Sequence, residues 1–157
     1  MGKKMKKTDL QMSDVTQLAT GFQFVEGPVW HRDGHWLFSD IPANRIHKIA
    51  PDGAAEIFRE PSGGSNGLTF DRTGRLVTCE HNNRRVSIST RDGPVETLVD
   101  TFEGKRLNSP NDIVVHSGGA VYFTDPPLRR PIRRTRATSF RRLTRRPGRQ
   151  YGPGGCR

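Results

Sequence analysis

Residues 66–93 read NGLTFDRTGRLVTCEHNNRRVSISTRDG, and forty positions earlier residues 26–53 read EGPVWHRDGHWLFSDIPANRIHKIAPDG. A third and shorter copy, NDIVVHSGGAVYFTD, starts at Asn111, forty-five positions after the second. Trp30, Phe70 and Val115 align, as do Leu37, Leu76 and Val121, the pairs Arg45-Ile46 and Arg85-Val86, and the turns Asp52-Gly53 and Asp92-Gly93. Short alternating runs (35–40, 45–50, 75–80, 85–90 and 120–125) are separated by Gly, Asn or Asp. That is the pattern of strands joined by tight turns. Proline falls mostly between runs, where a missing ladder donor costs little. The only helical signal is a weak one around Leu10–Leu18. A repeat of this length built from four short strands predicts an all-β propeller. A sandwich would not make turns and core positions recur together.

Working outward, the charge is uneven. The chain of 157 residues carries a formal +10, but residues 126–157 hold 11 Arg, no Lys and no acid. Residues 9–125 carry a net −5. The repeated body is therefore mildly acidic, and the whole-chain charge misleads about its partners. No apolar run is long enough for a membrane span or a signal-peptide core, so a cytoplasmic protein without membrane contact is expected. Gly2 is followed by Lys6 where N-myristoylation needs Ser or Thr. Cys79 and Cys156 form neither a disulfide framework nor a metal spacing. Three segments are expected: a start at 1–20 that begins basic, propeller blades over 21–127, and an Arg/Pro/Gly-rich tail over 128–157.

Equivalent positions of successive blades are related by rotation about the propeller axis. Glu26, Asn66 and Asn111 occupy the same place at the start of the innermost strand. One carboxylate and two amide oxygens converging there make a hard oxygen site, suited to Ca²⁺ and also to Mg²⁺ or Mn²⁺. Taken singly, Asn-Gly is an ordinary turn pair and Glu-Gly-Pro an ordinary solvated one; only the shared position raises the metal reading. Arg106, just before NSPND, can reach the channel mouth to orient a substrate, or be a surface residue. Glu80 and His81 end a strand and can line the pocket, or serve a loop. Asp112 can hold the neighbouring ligand by hydrogen bonding. His31, His35, His47 and His116 read as surface residues.

The motifs FVEGPVW, SNGLTFDRTGRLVTCEH, RLNSPNDIVV and VYFTDPP resemble the senescence marker protein / gluconolactonase / luciferin-regenerating enzyme family, and within it the bacterial-type gluconolactonases. The resemblance runs from about Phe22 to Pro127. It implies a six-bladed β-propeller, of which this chain would hold about two and a half blades, truncated and followed by a disordered basic tail. It implies a divalent metal at the axis, Ca²⁺ foremost with Zn²⁺ also admitted, and hydrolysis of a sugar lactone such as gluconolactone to the hydroxy acid. Glu26 and Asn111 match metal-binding positions, Asn66 a channel-lining one, and Arg106 a substrate-contacting one. The catalytic Asp and a further Asn of the family belong to later blades. The chain is therefore expected to be weakly active or inactive.

The resemblance breaks after Pro127, where Leu128-Arg129-Arg130 stands in place of the family's Tyr-Gly. One cytosine gained in the proline codons turns a Pro-Tyr-Gly reading into Pro-Leu-Arg-Arg. Residues from about 128 are thus expected to be out-of-frame translation. Two other classes remain: a non-catalytic binding propeller, and a basic tail that binds nucleic acid through phosphates. With Phe140 and Tyr151 its only aromatics, such a tail has little for base stacking, and affinity for polyanions would be incidental to its charge.

Overall fold

The computed structural model describes residues 15–90, 93–127 and 139–143, the last for its backbone and the Leu143 side chain. The first sheet holds β1 (Val25–His31), β2 (His35–Asp40), β3 (Arg45–Ile49) and β4 (Ala55–Arg59). The second holds β5 (Ser65–Phe70), β6 (Leu76–Glu80), β7 (Arg85–Ser89) and β8 (Glu96–Val99). A small hairpin, β9 (Thr101–Phe102) with β10 (Lys105–Arg106), precedes a third sheet of β11 (Ile113–Val115), β12 (Val121–Asp125) and β13 (Ser139–Leu143). All pairs are antiparallel and each sheet runs in chain order. The described residues contain no helix, and Val15–Leu18 is not helical.

The local chemistry explains the hairpins. Gly34 and Gly74 take positive φ at the same turn of the first two units, where a side chain would strain the backbone. In the second unit Asp71 fixes that turn by accepting from the Thr73 and Arg75 amides at 2.9 and 3.0 Å. Burial raises the pKa of this carboxyl, but the hydrogen bonds from Arg75 and Thr73 prevail and lower it on balance.

Strand alternation sends side chains to two separate cores. Leu37, Ile46, Leu68 and Leu76, with Val29, Phe58 and Phe70, fill the space between the first and second sheets. Val77, Cys79, Val86, Ile88, Leu107, Ile113, Val121 and Phe123 fill the space between the second and third. Leu76 and Val77 are adjacent on β6 yet serve opposite cores, as the two-residue period demands. Each such aliphatic side chain contributes about 1.5–3 kcal/mol when buried.

Three expectations are corrected. The register places Trp36 opposite Trp30, Leu76 opposite Phe70 and Val121 opposite Val115. Trp36, rather than Leu37, is therefore the counterpart of Leu76 and Val121; Leu37 sits one place on, facing the core. His47 is buried rather than on the surface, its ring stacked on Phe38 with Phe22 edge-on at 4.9 Å. Burial lowers its pKa, opposed by Asp40 and Glu60 and assisted by Arg45. Finally, Ser139–Leu143 pairs with β12, and Leu143 packs at the edge of the second core. This part of the expected disordered tail completes a third strand. The reading of 128–138 and 144–157 as out-of-frame lies outside the described residues.

Candidate axial site

The inner strands bring the three repeat positions together. In both β1–β2 and β5–β6 the register shifts at one place, between Glu26 and Val29 and between Ser65 and Leu68. Such a bulge re-aims the side chains at the strand start. Glycine then lets the strands meet. A Cβ on Gly27 would collide with the Asn66 carbonyl oxygen, and one on Gly67 would stand 2.6 Å from the Asn111 carbonyl oxygen. The Gly67 amide donates to that same Asn111 oxygen at 2.7 Å, and the Ser39 hydroxyl donates to the Asn66 carbonyl at 2.8 Å. Glu26 on β1, Asn66 on β5 and Asn111 just before β11 thus follow one another along the inner edge.

Their surroundings differ. Glu26 is exposed and Asn111 half-buried. Asn66 is only 7% exposed, with its Nδ2 3.3 Å from His81 Nε2. With the imidazole nitrogen accepting, the amide nitrogen is held toward His81 and the amide oxygen turns away from it. Asp112 supports the neighbouring strand: its carboxylate accepts from the Ile113 amide at 2.8 Å, and its own amide donates to Thr124 Oγ1 at 3.0 Å.

Glu80 and Arg106 are both engaged at the β6–β7 turn. Glu80 is sealed at 1% exposure, accepting from Arg85 Nε at 2.7 Å and Asn83 Nδ2 at 2.6 Å. Its oxygens hold the β6–β7 turn. Arg106 is exposed and donates to the Asn83 carbonyl at 2.8 Å, on the rim of the same turn. Cys79 is fully buried; burial first, then Asp112, Asp125 and Glu80, push its thiol well above the ordinary value, so it stays protonated. A cavity of about 240 Å³, lined by His31, His35, Lys48 and Phe70 among others, lies at the opposite ends of the strands. It shares no residue with the axial set.

One recurrence escaped the sequence reading, although Glu80 itself was named there. Asp40, Glu80 and Asp125 are all buried and each ends the second strand of its sheet. Asp40 accepts from the Gln23 and Phe24 amides at 3.0 and 3.1 Å, and Asp125 from the Asn108 and Ser109 amides at 2.8 and 2.9 Å. Asp40 and Asp125 pin the segments entering β1 and β11, whereas Glu80 holds the β6–β7 turn. The signal was present as an acid fourteen residues after each of Glu26, Asn66 and Asn111.

Among the described residues no three His, Cys, Asp or Glu gather as a metal site. The axial set is of another kind, one carboxylate and two amide oxygens. These are hard donors of the type that Ca²⁺ takes.

Comparison with known proteins identifies the family. A family model described as SMP-30/Gluconolactonase/LRE-like region matches residues 24–143. A gluconolactonase of Zymomonas mobilis is 41% identical over 127 residues, covering 70% of this chain and 35% of that protein. The solved structure of a gluconolactonase from Xanthomonas campestris superposes with a TM-score of 0.74 at 34% identity, covering 81% of this chain and 46% of that one. Virginiamycin B lyase from Staphylococcus aureus superposes with a TM-score of 0.53 at 25% identity, covering 64% and 34%. The chain thus spans well under two thirds of the length of these relatives.

Proposed function

The chain belongs to the SMP-30/gluconolactonase/LRE-like family, and from that premise we propose that it carries the metal-holding face of a sugar-lactone hydrolase. The observation that supports this is the approach of three consecutive inner strands at Gly27 and Gly67, which sets Glu26, Asn66 and Asn111 side by side. Glu26, Asn66 and Asn111 would hold the divalent cation, Ca²⁺ foremost. When bound, such a cation polarises a lactone carbonyl and stabilises the oxyanion that forms.

The chain's own residues have separable tasks. Glu26 supplies the charge that makes the site selective for a cation. Asn66 and Asn111 contribute neutral oxygens, so that the cation keeps net positive charge for the carbonyl. Asp112 fixes the backbone behind Asn111. Arg106, exposed on the rim of the β6–β7 turn and positively charged, would orient the hydroxyls or the developing carboxylate of a gluconolactone. With one carboxylate in the axial set, proton removal from water is weakly served, and turnover by this chain is expected to be slow.

The test is hydrolysis of gluconolactone by this chain, corrected for the spontaneous rate, with calcium and with a chelator. The expected result is a small increment that needs calcium and disappears in Glu26→Ala. An increment that survives both chelation and Glu26→Ala contradicts the proposal. Calcium binding with no increment favours a non-catalytic binding propeller.

A further inference from the structure

We propose that the interface between the first and second sheets holds a monovalent anion of chloride size, seated on Arg59, Thr78 and Ser87. The repeat shows where. Thr78 stands twelve places after Asn66, and the residues twelve places after Glu26 and Asn111 are Phe38 and Phe123. Ser87, directly opposite Thr78, takes the place that His47 has opposite Phe38. Arg59, opposite Ile46, takes the place that Val99 has opposite Val86. Between the second and third sheets these positions are apolar, with Phe123 inside the core and Val99 against it. Between the first and second, a ring gives way to two small hydroxyl side chains, and a valine to a guanidinium. The change leaves room and makes it polar, where the same register one sheet further on builds a dry core.

The polar atoms there lack protein partners. Arg59 Nη2 donates to Ser89 Oγ at 2.6 Å. Arg59 Nη1, Thr78 Oγ1 and Ser87 Oγ are sealed from solvent and have no hydrogen-bond partner among the described residues. Buried polar atoms in native proteins are with few exceptions paired, to protein, water or an ion. Directly opposite residues hold their Cβ atoms about 4.5–5.5 Å apart, so one ion reaches both hydroxyls. Each of the three groups can donate, and an anion accepts from all of them. Charge points the same way. Glu80 is already taken by Arg85 at 2.7 Å, and these two are the charges that act on Arg59. One positive charge is therefore left over, which an anion cancels and a water molecule does not. The loop above excludes solvent: Ser62 is buried, and Gly63, at φ +74°, lies so close that a Cβ would stand 2.6 Å from Glu80 Oε2. The site shares no residue with the axial set and is independent of the metal reading.

The experiment is chloride NMR line broadening by the full chain, with bromide as competitor and methanesulfonate holding the ionic strength constant. The wild type should broaden the chloride line saturably, and bromide should reverse it. Thr78→Val removes one hydroxyl and keeps every charge, so whatever chloride the Arg-rich residues 128–157 attract is the same in both proteins. Chloride should bind Thr78→Val at least tenfold more weakly, with strand content by circular dichroism unchanged. Arg59→Val, which installs the residue of the next unit, should abolish the effect. Equal broadening by wild type and a folded Thr78→Val would overturn the proposal, because the chloride would then sit on surface charge. No saturable, bromide-reversible effect in the wild type would overturn it too, leaving water in the place. Crystals of the wild type grown in bromide decide the matter without any variant. An anomalous peak within hydrogen-bond reach of Arg59 Nη1 and the Ser87 hydroxyl supports the site, and a water or nothing there contradicts it.

Discussion

Gly67 has no room for a side chain: a Cβ there would stand 2.6 Å from the Asn111 carbonyl oxygen and 2.8 Å from the Asp112 Cα. These are backbone atoms that cannot step aside one at a time. Gly67→Ala should cost about 1–3 kcal/mol in thermal or urea unfolding, the range for overpacked sites, and should weaken calcium binding as well. An alanine variant with unchanged stability would mean the inner strands do not meet as described. Glu80 sits at the other extreme, buried and fully engaged with Arg85 and Asn83. Glu80→Ala strands a partly buried guanidinium and should lower stability by on the order of 3 kcal/mol. Its effect on lactone or metal should follow only from that loss. His47 gives a pH signature. Its folded pKa is lowered below the ordinary 6.5, chiefly by burial. The unfolded chain therefore takes up this proton first, and the stability present above pH 6.5 declines as pH falls below it. His47→Phe should flatten the melting temperature between pH 7 and pH 5; an equally steep decline would place its cause elsewhere.

At the scale of elements, the repeat made most of the fold legible. The runs expected at 35–40, 45–50, 75–80, 85–90 and 120–125 became β2, β3, β6, β7 and β12 with ends moved by no more than one residue. Turn chemistry and alternation are local, and local signals survive folding. The off-by-one at Leu37 shows the limit. Trp36 and Leu37 are both apolar, and only the pairing of Trp30 with Trp36 tells which faces the core. His47 was misjudged for a related reason: its burial depends on Phe22, a residue twenty-five positions away. Asp40, Glu80 and Asp125 were legible as a spacing but carried no meaning until their partners were seen, backbone amides for Asp40 and Asp125 and side chains for Glu80. Asp125→Ala removes the acceptor from two amides, Asn108 and Ser109. It should cost about 1–3 kcal/mol and raise hydrogen exchange in 107–111, while exchange in β2 and β3 stays slow. Uniform loss of protection would contradict so local a role.

Across the described residues, the sheets stack by one repeated step, and Glu26, Asn66 and Asn111 keep the same place in successive units. Position in the repeat singled out Glu26, Asn66 and Asn111 before any coordinates. The most direct measurement is calorimetric titration of the full chain with calcium, wild type beside Glu26→Gln. The substitution keeps the shape of an exposed residue and removes only its charge. Calcium should bind the wild type and bind Glu26→Gln at least tenfold more weakly, with both proteins equally folded by circular dichroism. Equal affinity in the two, or no calcium binding by the wild type, would contradict an oxygen site built from the repeat.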